Sequence, residues 1–318
     1  MYISWSGWKL YDGCAYAYWH EYVAKTIVDK PDDRLGSIFG SAIGVLFELF
    51  YNEEWWRKSQ IQTFMVGQVE RVLEQTIQEE ISYDKKRDRP GGVLLWKGTG
   101  EGCNPRGLYE TQEDLETDVR EAVGRGLKII RHHRLLGRRA QAEVDLNSKI
   151  DGHILGGRAD FVILRTRPHY DLCLLDGKGS RHHGLYIDPR QVKWYAMLYR
   201  HRFSKSPEKL GYVYWNRQPN TKTFDPEKHI DWVEFSEYEL DQLMEQVLTS
   251  VREIVEGQDT LPPAEKTPAD TLMELASQVF KPKPNENNCR FCRYATATTC
   301  LRGFGIVKEM NRRYGRSV

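Results

Sequence analysis

Several things are scarce in this 318-residue chain, and each scarcity narrows what it can be. No apolar run approaches the roughly 20 residues that cross a bilayer, so no membrane span is expected. The first residues, MYISWSGWKLYDGC, carry neither the basic segment nor the apolar stretch of a secretory signal, and a cytoplasmic location is the expectation. Net charge is nearly absent: 46 Lys and Arg stand against 45 Asp and Glu, leaving +1, so bulk electrostatics give no drive toward nucleic acid. Cysteine is sparse, at six residues, which in an intracellular chain points to metal binding or simple burial rather than disulfides. There is no internal repeat and no low-complexity tract, which argues against solenoids and disordered tails.

What is present is a globular composition, 40 % hydrophobic and 29 % charged, in a chain long enough for one large domain or two small ones. Its charge is uneven. Residues 281–318 hold nine Lys or Arg against Glu286 and Glu309, a local +7, so the remainder is acidic by about six charges. That tail reads either as a phosphate-contacting surface or as a solvated terminus.

Apolar spacing predicts a helix over about Ser6–Val28, a turn at 30–37, a buried helix in SIFGSAIGVLFELFY, and a third helical pattern over about Glu54–Ile81. A Gly- and Pro-rich loop or insertion follows at 84–110, then a helix opening at Thr111 with a Glu near its third position. Three β-type runs come next, 140–147, 153–165 and 171–176. DPRQVKWYAMLYRHRF returns to helix, 210–217 to strand, and Ser236–Glu256 to a last long helix, before the linker TLPPAEKTPAD and a cysteine-rich tail. The expected fold class is α/β, or mixed α+β, with helical additions.

Three acids fall in the strand region: Glu143 in the first run, Asp160 in GGRADFVIL, and Asp176 just before Lys178 in LLDGK. LCLLD is apolar on both faces and reads as a central strand, where an unpartnered charge is costly. Two carboxylates on neighbouring strands can hold Mg²⁺ or Mn²⁺, which polarises a phosphodiester and activates water. Asp176 and Lys178 point to one face, and the Gly177 carbonyl can serve as a further metal ligand. The bland reading is a surface Asp–Lys pair beside a core tyrosine.

GRAD followed sixteen residues later by DGK resembles the PD-(D/E)xK nuclease superfamily, and QVKWY is similar to the Q-x₃-Y motif of its RecB-like branch. The resemblance implies a restriction-endonuclease-like core: a mixed central sheet flanked by helices, one domain over 1–318. A helical region would occupy 1–135, the catalytic sheet and Q-x₃-Y helix 136–235, and the last helix, linker and basic tail 236–318. It implies Asp160 and Asp176 as metal ligands, Lys178 as the group that orients the nucleophile, and Gln191 and Tyr195 as residues against the DNA strand. The family's G-x₃-H-x₃-E segment matches GSAIGVLFE, with Gly40, Gly44 and Glu48; glycine stands where the family has its extra histidine ligand. Glu48 either approaches the metal or Lys178, or pairs with an internal arginine. His182 and His183 read as phosphate contacts or as a solvated loop.

CRFCRYATATTC is a C-x₂-C-x₇-C pattern, and Cys14 is the natural fourth thiolate for Cys289, Cys292 and Cys300. One distant cysteine with three at the C-terminus resembles the iron–sulfur nucleases, AddB-type subunits and CRISPR-adaptation enzymes among them, which implies a 4Fe–4S cluster. Structural Zn²⁺ is the competitor. Cys173 reads as a buried small hydrophobe, and Cys103 sits in the loop. The resemblance implies a deoxyribonuclease, an exonuclease on single-stranded or free-ended DNA, in recombination, repair, phage DNA metabolism or CRISPR adaptation within a bacterial, archaeal or phage-infected cell. The rivals are a weakened nuclease fold that only binds DNA or protein, and a zinc-stabilised interaction module.

Overall fold

The computed structural model describes the chain apart from residues 28–33, 84–92, 100–102, 104–106, 137–138, 167, 180–186, 216–223, 290–291, 297–298 and 315–318. The His182–His183 pair lies outside the described residues, as do parts of the expected turn at 30–37 and loop at 84–110.

The chain opens on a strand, β1 (Tyr2–Ser4), so the N-terminal region is not wholly helical as expected. In α1 (Trp5–Gly13) the Ser4 hydroxyl caps the first turn by accepting from the Gly7 N–H. The single helix expected to Val28 is broken, because Cys14 is extended (φ −161°) and the chain resumes as α2 (Ala15–Tyr18) and a π-turn, Trp19–Val23. Next, α3 (Leu35–Asn52) buries Ile38, Ala42, Ile43, Leu46, Phe47 and Phe50. At 18 residues it is long and apolar enough to cross a membrane by length and composition alone, contrary to the expectation that no run comes near. Here it is a core helix.

The third helical pattern divides into a 3₁₀ turn, Trp55–Arg57, then α4 (Ile61–Val66) and α5 (Val69–Ser82). Left-handed backbone at Glu54 and Gln60 (φ +53° at both) bounds the segment that holds the 3₁₀ turn, while α4 gives way to α5 at Gly67 and Gln68 with the backbone still right-handed. In α6 (Gln112–His132), Thr111 closes a reciprocal capping box, with Asp114 as the acid rather than a glutamate.

The strands follow: β2 (Ala140–Asp145), β3 (Ser148–Ile150), β4 (His153–Gly156), β5 (Arg158–Leu164) and β6 (Leu172–Lys178). The run expected at 153–165 is thus cut at Gly157, and its halves join different sheets. A β-carbon at Gly157 would lie 2.8 Å from Leu198 Cδ1, so the break lets the following helix approach. That helix is α7 (Arg190–Phe203), and β7 (Lys209–Tyr214), β8 (Ile230–Val233) and α8 (Glu237–Thr260) come after it. Part of the expected linker and its downstream flank form α9 (Ala269–Val279), and the tail folds as α10 (Glu286–Cys289), α11 (Arg293–Thr296) and α12 (Leu301–Tyr314).

The main sheet runs β2-β5-β6-β7-β8 and is mixed: β5 and β6 form an antiparallel hairpin, while β6 and β7 are parallel across α7. Arg165 and Asp171 lock the hairpin with paired contacts of 2.6 and 2.7 Å. A smaller sheet, β1-β4-β3, lies apart. Alternation along the strands fills two cores. Phe161, Ile163, Cys173, Leu175 and Val213 face α3, α5 and α6, whereas Val162, Leu174, Leu210, Tyr212 and Tyr214 face α1, α7 and α8. This two-sided burial is why β6 reads as unbroken hydrophobic sequence. The result is the mixed α/β architecture expected, restriction-endonuclease-like in its helix-flanked mixed sheet.

Candidate active site

The end of β6 carries the site's centre. Asp176 is 3 % exposed, and Lys178, two residues on, shares its face. The Lys178 ammonium contacts Asp176 Oδ2 directly, donates to Gln191 Oε1 at 3.2 Å, and lies 5.3 Å from the centre of the Tyr212 ring. Between them, the Gly177 N–H donates to Asp160 Oδ2 at 2.7 Å, tying β6 to the acid of β5. A β-carbon at Gly177 would stand 2.9 Å from the Trp215 indole nitrogen and 3.4 Å from Asp160 Oδ2. Glycine therefore lets the Trp215 ring pack this close, while the approach of the carboxylate is an ordinary contact.

On α7, Gln191 bridges the groups. Its amide nitrogen donates to Asp176 Oδ1 at 3.0 Å and to the Tyr195 hydroxyl at 3.2 Å, while its oxygen accepts from the Lys178 ammonium. The i, i+4 spacing places Gln191 and Tyr195 on one helical face. Burial, with the nearby Asp176 charge, raises the Tyr195 pKa, so the phenol keeps its proton. The helix is held from behind by Trp194, which is fully buried and packs on Trp5 and Trp8 at 6.1 and 5.9 Å.

Glu143, singled out from the sequence only as a candidate, belongs to the same centre. It stands opposite Asp160, between the paired positions Ala142–Phe161 and Val144–Ala159, and its backbone is left-handed (φ +53°). Such a conformation costs a non-glycine residue energy and concentrates at functional positions. The Asn52 side chain holds the deformed strand by bonding both the N–H and the carbonyl of Ala142. Glu143 itself pairs with Arg158 at 3.1 Å.

The α3 residues Gly40, Gly44 and Glu48 approach from the other side. A β-carbon on Gly179 would lie 2.5 Å from Gly40 Cα, so helix and strand end meet backbone to backbone. At Gly44 a β-carbon would find nothing within 4 Å. Glu48 is half-buried; burial raises its pKa, Glu143 adds to the rise and Arg158 opposes it. Its charged neighbours are thus Glu143 and Arg158, and Lys178 is engaged by Asp176 and Gln191.

These charges repel. Burial pushes the Asp160 pKa well up, the Asp176 and Glu143 charges push it further, and the Gly177 N–H and Lys178 pull it back. Asp176 is likewise raised by burial and by Glu143 against the pull of Lys178. A hard cation relieves that repulsion, and an all-oxygen donor set is what Mg²⁺ or Mn²⁺ accepts. The three carboxylates do not close to within 4.8 Å of one another. Two carboxylates with room for water and phosphate are the usual Mg²⁺ arrangement, so the residues fit the ion. Beside them opens a cleft of about 420 Å³ whose lining includes Tyr2, Ser4, Glu143, Arg158 and Tyr195. Tyr2 is exposed, while Trp5, Trp8, Trp19, Trp55, Trp194 and Trp215 are buried and serve packing rather than stacking on a base.

The four cysteines of the tail and α1–α2 junction line one cavity of about 600 Å³, next to Gln191. Burial raises the Cys289 and Cys292 thiols, and Cys14 and Cys300 are close enough to add to both. The chain ends are also tied directly: Asn288 Nδ2 donates to the Gly13 carbonyl at 2.6 Å, Lys283 Nζ to the Asp12 carbonyl at 3.0 Å, and the Tyr294 hydroxyl to Glu21 at 2.5 Å. Gly303 lets α12 close on this module, since a β-carbon there would sit 2.8 Å from that of Ala295. Cys173 is fully buried in the main core, and burial pushes its thiol up to about 12. Cys103 is exposed.

Sequence reasoning left Glu143 undecided because a strand acid of permissive spacing carries no mark of its left-handed backbone. It missed His132, His133 and Glu227 altogether: among the described residues these are the three ligand-type side chains whose atoms lie within 4.8 Å of each other. They come from segments 95 residues apart, with His132 Nε2 2.6 Å from Glu227.

No curated protein matches the chain. A solved structure described as "Crystal structure of SSO0001" is similar at 15 % identity over 82 % of each chain, with a TM-score of 0.29. The family model for the PD-(D/E)XK nuclease superfamily matches residues 2–297.

Proposed function

The chain belongs to the PD-(D/E)XK nuclease superfamily, and from that membership we propose that it is a divalent-metal-dependent deoxyribonuclease, an exonuclease acting on single-stranded or free-ended DNA. The observation that carries this reading is the convergence of Asp160, Asp176, Lys178 and Gln191 at the end of β6. Asp160, Asp176 and the Gly177 carbonyl would hold Mg²⁺ or Mn²⁺. The ion, when bound, polarises the scissile phosphate and lowers the pKa of water.

The chain's own residues do the rest. Lys178 orients the attacking water and faces the charge that develops on phosphorus as the P–O bond to the leaving oxygen breaks. Gln191 fixes the lysine and Asp176 together, so the ammonium enters the reaction already placed. Tyr195, kept protonated, presents its hydroxyl to the cleft, where Arg158 offers charge to a phosphate and Tyr2 a ring to an unpaired base. Glu143 and Glu48 surround the carboxylate pair with negative charge and favour a cation there.

We assign the four cysteines to a 4Fe–4S cluster that clamps the chain ends. What supports this over zinc is the split arrangement, one cysteine far upstream and three near the C-terminus, all lining one cavity of about 600 Å³.

Digestion of end-labelled single strands, linear duplex and closed circles tests the nuclease reading. Mn²⁺-dependent loss of the first two, sparing circles and abolished by Lys178→Ala, is the expected result. Cleavage of circles overturns the exonuclease assignment. No metal-dependent hydrolysis of any substrate favours the second reading, a binding module weakened by the open glycine position at residue 44.

A further inference from the structure

His20 stands in the wall of the cysteine cavity, on the π-turn after α2. It is 0 % exposed, and its ring is held on three sides: Tyr16 and Trp19 meet it edge-on at 4.5 and 4.8 Å, and Tyr294 stacks on it at 4.8 Å. Nδ1 is 2.8 Å from the Thr26 hydroxyl, and the Thr26 N–H donates to the His20 carbonyl, so a closed turn fixes the ring's rotation. The other nitrogen, Nε2, is buried and has no hydrogen-bond partner among the described residues. A fully buried ring nitrogen left unpaired is expensive, and it marks a place where a group outside the polypeptide completes the bond.

The cavity supplies the group. Two residues whose rings pack on His20 are also neighbours of Cys300: the Cys300 N–H donates to the Tyr294 main-chain carbonyl at 2.8 Å, and Cys300 is close enough to Tyr16 to raise its pKa. Four cysteines already satisfy a cluster, so the imidazole is not needed as a ligand. In the tautomer where the Thr26 hydroxyl donates to Nδ1, the proton resides on Nε2. We propose that His20 donates its Nε2–H to a sulfur at the Cys300 corner of the cluster, and by stabilising the more negative, reduced state sets its reduction potential. This rests on the iron–sulfur reading of the cage. A hydrogen bond to a cluster sulfur raises the potential, and its loss lowers it.

The test uses anaerobically purified full-length protein, analysed first for iron, sulfide and zinc. Four irons per chain uphold the reading of the cage; one zinc and no iron overturns that reading and this proposal together. With iron present, dithionite-mediated redox titration is compared for wild type, His20→Leu and His20→Gln. Leucine fills the space without a donor and is expected to shift the reduced-to-oxidised ratio at least tenfold toward oxidised, about 59 mV for one electron. Glutamine, which keeps an N–H, restores most of it. An unchanged potential in a fully loaded leucine variant overturns the proposal. Should that variant lose its cluster, pulsed EPR of reduced wild-type protein labelled with ¹⁵N-histidine decides. Weak coupling to one histidine nitrogen supports the bond, and its absence refutes it.

Discussion

Replacing Asp160 by Asn should stabilise the metal-free protein while destroying its activity. The reasoning is electrostatic. Asp160 is held beside Asp176 and Glu143, and burial with those charges raises its pKa well above the carboxylate range. A carboxyl whose folded pKa exceeds its unfolded one binds more protons in the native state, so it costs stability once pH rises through that interval. The metal-free protein should therefore lose stability as pH climbs from the ordinary carboxylate range toward neutrality, and added Mn²⁺ should reverse the loss. Asparagine removes the charge yet keeps an oxygen to accept the Gly177 N–H, now bonded at 2.7 Å. A gain of about 0.5–2 kcal/mol is the scale for relieving one such conflict. With an unfolding entropy of about 2.1 cal/mol/K per residue over 318 residues, that is about 1–3 °C in Tm. Thermal melts with EDTA and with Mn²⁺, at mildly acidic and mildly alkaline pH, measure it. Nuclease rate should fall at least about a hundredfold. An Asn variant less stable than wild type in EDTA at alkaline pH, or one still stabilised by Mn²⁺ as wild type is, would refute the reasoning.

Three other perturbations follow from the same geometry. Gln191→Leu severs the bonds to Asp176, Lys178 and Tyr195, and should lower the single-turnover rate about 10–100-fold while costing only about 1–2 kcal/mol in urea unfolding. Gly179→Ala brings a β-carbon within 2.5 Å of Gly40 Cα and should cost about 1–3 kcal/mol by pushing α3 off the sheet, read as a lower denaturation midpoint. Cys289→Ser should cut the metal content of the cage and expose 281–318 to limited proteolysis, with the main-sheet core still folded.

Most of the main sheet's centre was legible because two-sided burial writes itself into composition: β6 has no polar residue before Asp176, so an acid there needs a reason. The Gln191–Tyr195 face was equally plain from its spacing. Glu143 was not, since a left-handed residue inside a strand is a tertiary outcome held by Asn52, ninety positions from Ala142 in sequence. Nor was the break at Cys14, in a stretch whose aromatics fit a continuous helix while its thiol turns to the cavity with those of the tail. The short β8 and the split at Gly157 escaped for a related reason: four-residue strands carry too little periodicity, and Gly157 separates two sheets only because α7 packs there. The cage drew Cys14 and the tail together across some 275 residues of intervening chain, which the spacing of the cysteines suggested but apolar pattern alone does not.

Anomalous scattering from crystals soaked in Mn²⁺ tests the central claim most directly. A peak bridging the carboxylates of Asp160 and Asp176, about 2.2 Å from an oxygen of each and missing in Asp160→Asn, is the predicted result. Manganese bound elsewhere, with that pocket empty and Lys178 still clasping Asp176, would contradict it.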